Sequence, residues 1–202
     1  TTDALGAENE ALSFNGTNNY VNIPHIDSGI KSISLRIYPE VVTQQTLVYL
    51  NSTTYIEING SSQINARGFT AIPNIYLNDV AETVTNSGYD NNGSSTLSIN
   101  TWYHIVVTTE TDIATDNPFY FAKGDTNFYF NGKIADVRFY NSVLNGDDIT
   151  LLFSNDIEII GNEIVHYRMN EGNNSNVNDS VNSNLYIANT PSKSIVGKSA
   201  FN

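Results

Sequence analysis

The chain contains no cysteine, which removes disulfides, thiolate metal sites and cysteine nucleophiles at once. Positive charge is also scarce: 9 Lys plus Arg stand against 21 Asp plus Glu, for a net charge of −12. Nucleic-acid binders are normally basic, so no nucleic-acid partner is expected, and anionic membrane surfaces are disfavoured too. No apolar run approaches the length of a membrane span, so membrane insertion is not expected. A charged and then apolar leader is missing at Thr1, as expected if a leader was removed or the chain is a piece of something longer. The three histidines, His25, His104 and His166, are too scattered for an H-x-H or HExxH metal pattern. Each is expected to be a structural, hydrogen-bonded ring. No G-x-S-x-G elbow, phosphate loop or dinucleotide fingerprint is present.

What the chain has in excess is asparagine, 30 of its 202 residues, a side chain suited to turns, helix caps and polar sheet rims. Six N-x-S/T triplets begin at Asn15, Asn51, Asn59, Asn92, Asn173 and Asn178. Such a composition produces most of them by chance, and they count as glycan sites only in a secreted eukaryotic protein. Residues 1–10 read as a small, acidic linker. From Ala11 onward, short strands alternate with Gly, Asn and Ser turns, the texture of a sandwich or barrel. Ser32 to Tyr38 alternates, with Ile33, Leu35 and Ile37 on one face and Ser34, Arg36 and Tyr38 on the other. Strands are expected at Thr46 to Asn51 and Thr54 to Asn59, then a hairpin of Ile72 to Leu77 and Val80 to Val84 around Asn78-Asp79. Trp102 to Thr109 is apolar on both faces and belongs in the middle of a sheet.

The stretch from Asn127 to Phe153 organises the rest. Phe128-Tyr129-Phe130 reads as a strand, and Asn131-Gly132 as the type I′ turn of a hairpin. In the returning strand Ala135, Val137 and Phe139 alternate with Asp136, Arg138 and Tyr140. Asn145 then caps a short helix near 146–153, with Asp147 and Asp148 in its first turn and Ile149, Leu152 and Phe153 on one stripe.

The run FNGKIADVRFYNSVLNGDDI, Phe130 to Ile149, resembles the closing signature of laminin-G-like domains in the concanavalin-A-like lectin/glucanase superfamily. ALSFNGTNNYVNI (Ala11 to Ile23), IYLNDV (Ile75 to Val80) and TWYHIVVT (Thr101 to Thr108) match it in the expected order. The resemblance covers about residues 10 to 155. It implies an all-β, concanavalin-A-like jelly-roll sandwich of two antiparallel sheets, and a non-catalytic recognition module. It also places a laminin-G-like sandwich over 11–158. Residues 159–202 resemble the start of such a module, which implies a second truncated module or a circular permutation that completes the same sandwich. Within that tail, Glu163 to Asn170 is expected to be a strand beside DVRFYN, with Ile164, His166 and Arg168 alternating with Val165, Tyr167 and Met169 so that one face is apolar enough to bury.

Glycoside cleavage needs two carboxylates facing one bond, which on a strand means acids at alternate positions. No E-x-D-x-E run exists: Glu57 is alone on its strand, Asp136 pairs with Arg138, and Asp147 and Asp148 cap a helix. An enzyme is not expected. The superfamily often holds a structural calcium, but Asn15, Asn18 and Asn19 stand where relatives carry Asp, and Ile134-Ala135-Asp136 replaces an IDD or IDE run. No cofactor is therefore required, though a structural calcium remains open, with Glu171 and Asp179 as candidate ligands. Most of the 12 tyrosines are explained by strand preference. Tyr89 is not, because it sits in the polar stretch of residues 86–95, which reads as a binding loop.

These features lead to a lectin-like, carbohydrate-binding or adhesion module of a secreted, cell-surface or virion protein. Its glycan or surface-protein partner is expected at Tyr89, Asp90, Asn91 and Asn92. The alternative is a decorating module of a phage capsid or fibre, which would be an oligomer.

Overall fold

The computed structural model describes residues 11–27, 29–125, 128–154 and 162–169, with the backbone of three further short strands. In chain order the first strands are β1 (Ala11–Asn15), β2 (Val21–Ile23), β3 (Ile30–Pro39), β4 (Gln45–Tyr49), β5 (Tyr55–Ile58) and β6 (Gln63–Arg67). Next come β7 (Asn74–Leu77), β8 (Val80–Ala81), β9 (Thr85–Ser87), β10 (Asp90–Thr96), β11 (Tyr103–Ile113), β12 (Phe119–Phe121) and β13 (Asn131–Tyr140). The helix α1 (Gly146–Ser154) is followed by β14 (Glu163–Tyr167), β15 (Asn176–Asn178), β16 (Leu185–Ile187) and β17 (Ser194–Val196).

Two antiparallel sheets form the sandwich. One runs β17-β1-β13-β3-β11-β7-β8, with β14 also paired to β13; the other runs β2-β12-β4-β5-β6-β10-β9. Ile33, Leu35 and Ile37 from β3 and Ile105 and Val107 from β11 meet Ile56, Ile58, Phe119 and Phe121 of the other sheet in one core. All nine are at most 1% exposed, and burial of each contributes about 1.5–3 kcal/mol. The fold is an all-β jelly-roll sandwich with one short helix.

The alternation on β3 holds, and the face that carries Ser34 and Arg36 is covered as well. Ser32, Ser34 and Arg36 are buried because α1 lies over them. Val106, Tyr140, Leu144, Ile149 and Leu152 form a second, smaller core there. The Arg36 guanidinium donates to the Leu152 carbonyl at 2.6 Å and to that of Phe153 at 3.2 Å. Carbonyls at a helix C-terminus lack intrahelical partners and carry partial negative charge, so a cation satisfies both needs. At the other end, Asn145 and Asp148 cap each other's backbone N–H groups at 3.0 Å.

Asn131-Gly132 does not make a turn. Phe128 to Phe130 lie outside any strand, and Asn131 and Gly132 open β13 itself, with Gly132 opposite Pro39 and Phe14. Glycine is needed here for a different reason: its φ is +149°, and a Cβ would stand 2.3 Å from the Tyr38 carbonyl oxygen. The Asn78-Asp79 hairpin does form, with φ of +50° and +68° at its two central residues.

In β13 the register slips between Ala135 and Arg138, and Asp136 adopts φ +50°. This bulge makes Ile134, not Ala135, share the main core with Val137 and Phe139. It also marks a change of neighbour. β1 pairs residues 131–134 of β13, and β14 pairs residues 137–140, so two segments fill one strand position end to end. Val165, Tyr167 and Met169 enter the main core, with the Tyr167 ring 5.5 Å from Phe121. Residues 1–10, Asn170, Glu171 and Asp179 lie outside the described residues.

Candidate functional site

Side chains alternate along a strand, so each residue that enters the core leaves its neighbours on the opposite face. On β5, core residues Ile56 and Ile58 leave Tyr55 and Glu57 facing away. On β12, Phe119 and Phe121 leave Tyr120; on β6, Ile64 and Ala66 leave Asn65 and Arg67. Strand register then aligns them: Tyr120 is opposite Tyr49, Tyr49 opposite Tyr55, and Tyr55 opposite Arg67. Four consecutive strands thus contribute one residue each to a row that crosses the second sheet.

The rings are close but offset. Tyr49 lies 6.0 Å from both Tyr120 and Tyr55, nearly parallel to Tyr55 at 19°. Tyr20 extends the row edge-on, 5.9 Å from Tyr120. Tyr49 is the floor at 7% exposure, while Tyr20, Tyr55 and Tyr120 are half-buried. The Lys123 ammonium sits 4.2 Å from the centre of the Tyr120 ring and 4.5 Å from that of Tyr20. At the other end, the Arg67 guanidinium lies 5.7 Å from the Tyr55 ring and 3.2 Å from the Asp90 carboxylate.

Beside Tyr49 and Tyr120 the surface opens into a pocket of about 440 Å³, further lined by Asp116, Asn117, Pro118, Lys123, Gly124 and Asp125. Burial pushes the Tyr49 hydroxyl above its ordinary pKa, and the Asp125 and Asp116 carboxylates add to it. Burial, then Glu57, does the same for Tyr55. Both phenols therefore stay protonated at neutral pH as hydrogen-bond donors. Asn65 Nδ2 donates at 2.9 Å to Glu57 and to Asp90, and Gln44 donates to the second Glu57 oxygen at 3.2 Å. Glu57 is 2% exposed and fully engaged, a structural carboxylate rather than an acid facing a substrate.

Residues 86–95 are not a loop. They form the β9–β10 hairpin at the edge of this sheet, with Gly88 and Tyr89 at the tip. Tyr89 is 74% exposed, and its carbonyl accepts from the Gly68 N–H at 2.8 Å, which fixes the tip beside the Arg67 end of the row. Asp90 reaches the row through Arg67. Asn91 is fully buried: its amide donates to the Ala66 carbonyl and accepts from Asn86. Asn92 accepts from Asn59 at 2.6 Å. Of the four residues expected to bind ligand, Asn91 has its side chain spent on holding the hairpin.

Tyr20, Tyr49, Tyr55, Tyr120 and Lys123 were not singled out by sequence reasoning. Each tyrosine sits in or beside a strand, where strand preference alone accounts for it. The alignment of Tyr120 with Tyr49 depends on a pairing between residues far apart in the chain.

Of the residues expected to bear on calcium, Glu171 and Asp179 lie outside the described residues, while Asn15 and Asp136 are already engaged within the protein. Asn15 Oδ1 already accepts from the backbone N–H groups of Thr17, Asn18 and Asn19. Asp136 is surrounded by cationic or donor groups: Arg138 Nε at 2.9 Å, Arg36 Nε at 3.5 Å and His166 Nε2 at 2.7 Å. The described residues contain no cluster of three His, Asp or Glu side chains able to hold a metal ion. Every histidine is hydrogen-bonded: His104 to Ser34 at 2.8 Å, His25 to the Thr115 carbonyl at 2.8 Å, and His166 to Asp136.

No protein-family model and no curated protein sequence matches this chain. Among solved structures it is similar to a candidate carbohydrate-binding protein from Bacteroides ovatus ATCC 8483, with a TM-score of 0.60 and 12% identity. The match covers 94% of this chain and 62% of that one. What the two share is the sandwich. At that identity the likeness establishes the fold alone.

Proposed function

We propose that this chain is a non-catalytic carbohydrate-binding module whose ligand lies on the tyrosine row of the second sheet. The observation that carries the reading is the cross-strand register of Tyr120, Tyr49, Tyr55 and Arg67. Sugars present C–H faces that pack on aromatic rings and a rim of hydroxyls that seek charged or polar partners. The row offers half-buried rings, and its adjoining pocket offers Lys123, Asp116 and Asp125 to hydroxyls of the same ligand. The similarity to a candidate carbohydrate-binding protein supports the reading at the level of ligand class. The locked state of Glu57 takes that carboxylate out of contact with the ligand. Glycans of this accessibility are displayed outside cells, so a secreted, cell-surface or virion location fits the same reading.

A glycan microarray probed with the wild-type protein and with a Tyr55→Ala/Tyr120→Ala double variant tests it. Binding by the wild type that the double variant loses is the expected result. A folded wild-type protein that binds nothing on a broad array, or a measurable release of reducing ends from a bound glycan, contradicts it.

A further inference from the structure

We infer that the ligand is an extended, uncharged glycan chain that runs across the strands and is gripped over at least three consecutive sugars, not at one terminal residue. This rests on the carbohydrate-binding reading and specifies it further.

The direction follows from the register. Tyr120, Tyr49 and Tyr55 come from three adjacent strands, which lie about 4.8 Å apart in a sheet. The ring centroids themselves step by 6.0 Å from Tyr120 to Tyr49 and again to Tyr55, on the scale of one sugar per ring in an extended chain. With Tyr20 on one side and Arg67 on the other, the row outlasts any single sugar ring. The pocket beside Tyr49 is open, not a closed cup that would cap a chain end. At one end Lys123 lies over the rings and Tyr129 packs 6.3 Å from Tyr20; at the other stands the Arg67–Asp90 pair, beside the Tyr89 tip.

Charge decides the class. Along the row and its pocket, Glu57, Asp90, Asp116 and Asp125 outnumber Lys123 and Arg67. Arg67 is already neutralised by Asp90 at 3.2 Å, and Lys123 shares its pocket with two carboxylates. A uronate or sulfate would enter a site that is negative overall, on a chain of net charge −12. The hydroxyls of a neutral sugar instead donate to Asp116 and Asp125 and accept from Lys123 and the protonated phenols.

The test uses titration calorimetry with length series from one to six sugars. Neutral β-1,4-linked gluco-, manno- and xylo-oligosaccharides, and those of the strongest array hit, are compared with oligogalacturonates and sulfated oligosaccharides. The expected result is affinity that rises about tenfold or more between one and three or four sugars and is confined to neutral chains. Tyr55→Ala and Tyr120→Ala should each flatten the dependence on length, whereas Tyr120→Phe keeps it. Equal affinity for mono- and tetrasaccharide, or preference for an anionic chain, overturns this inference while leaving carbohydrate binding intact. Length dependence unchanged in both alanine variants moves the site elsewhere and also overturns it. Absence of binding to every glycan, neutral or anionic, removes the functional reading together with the inference.

Discussion

His166 Nε2 lies 2.7 Å from Asp136 Oδ1, and the two residues join the tail strand β14 to the bulge of β13. The same carboxylate accepts from Arg138 at 2.9 Å and faces Arg36 at 3.5 Å. Burial alone would raise the pKa of Asp136, but the His166 hydrogen bond and the Arg138 charge hold it well below the usual carboxylate range. Its charge is thus worth most in the folded state. Asp136→Asn leaves buried cations facing a neutral amide, a loss of roughly 3–5 kcal/mol. Because the folded pKa is depressed, this stabilisation is full above about pH 4, the ordinary aspartate value, and fades as the pH falls below it. Urea unfolding followed through Trp102 fluorescence at pH 7 and pH 3 should show a large gap between wild type and variant that narrows in acid. A gap of under about 1 kcal/mol at pH 7 would mean the cluster is not coupled to stability.

His104 behaves in the opposite chemical sense. Buried beneath Phe153, whose ring is 6.0 Å away, it has its pKa lowered to about 3 by burial and then by Arg36. The unfolded chain protonates it near pH 6.5 while the folded chain does not, so stability declines as pH falls from about 6.5 toward 3. The contribution lost between pH 7 and pH 4.5 is about 2–3 kcal/mol. A His104→Gln variant should show a shallower loss over that interval in the same unfolding experiment. Parallel curves for the two proteins would contradict the assignment of a neutral, buried ring.

Removal of residues 160–202 takes Val165, Tyr167 and Met169 out of the core and uncovers residues 137–140 of β13. Each fully buried large side chain contributes about 1.5–3 kcal/mol, and an open strand edge recruits other chains. The truncated protein should melt well below the intact one or associate on light scattering. A monomer that melts at the intact protein's temperature would show that the tail contributes nothing to this sandwich.

Local periodicity made much of the fold legible. Ile33, Leu35 and Ile37 announce β3, and the apolar faces of Ile105, Val106 and Val107 require a central strand, because Val106 packs under α1 while its neighbours fill the main core. The capping of α1 by Asn145 is likewise written in adjacent residues. What failed was chemistry that depends on distant partners. Asn131-Gly132 carries a turn signal, but Tyr38 and Pro39, more than ninety positions earlier, make that glycine a point of close backbone approach. Asn86 to Ser95 is polar enough to look like a loop, yet Asn65 and Asn92 pair across β6 and β10 and hold it in the sheet. The tyrosine row is the clearest case. Tyr49 and Tyr120 are seventy-one positions apart, and nothing near either residue reveals that they face each other.

The central claim is that half-buried tyrosine rings, and not the exposed Tyr89, carry glycan binding. It is tested most directly by titrating Tyr120→Ala, Tyr120→Phe and Tyr89→Ala with the strongest glycan found on the array. The account predicts that Tyr120→Ala loses about tenfold or more in affinity, with the other two close to wild type and all three melting together. Wild-type affinity in Tyr120→Ala, with loss in Tyr89→Ala, would contradict it and return the site to the hairpin tip.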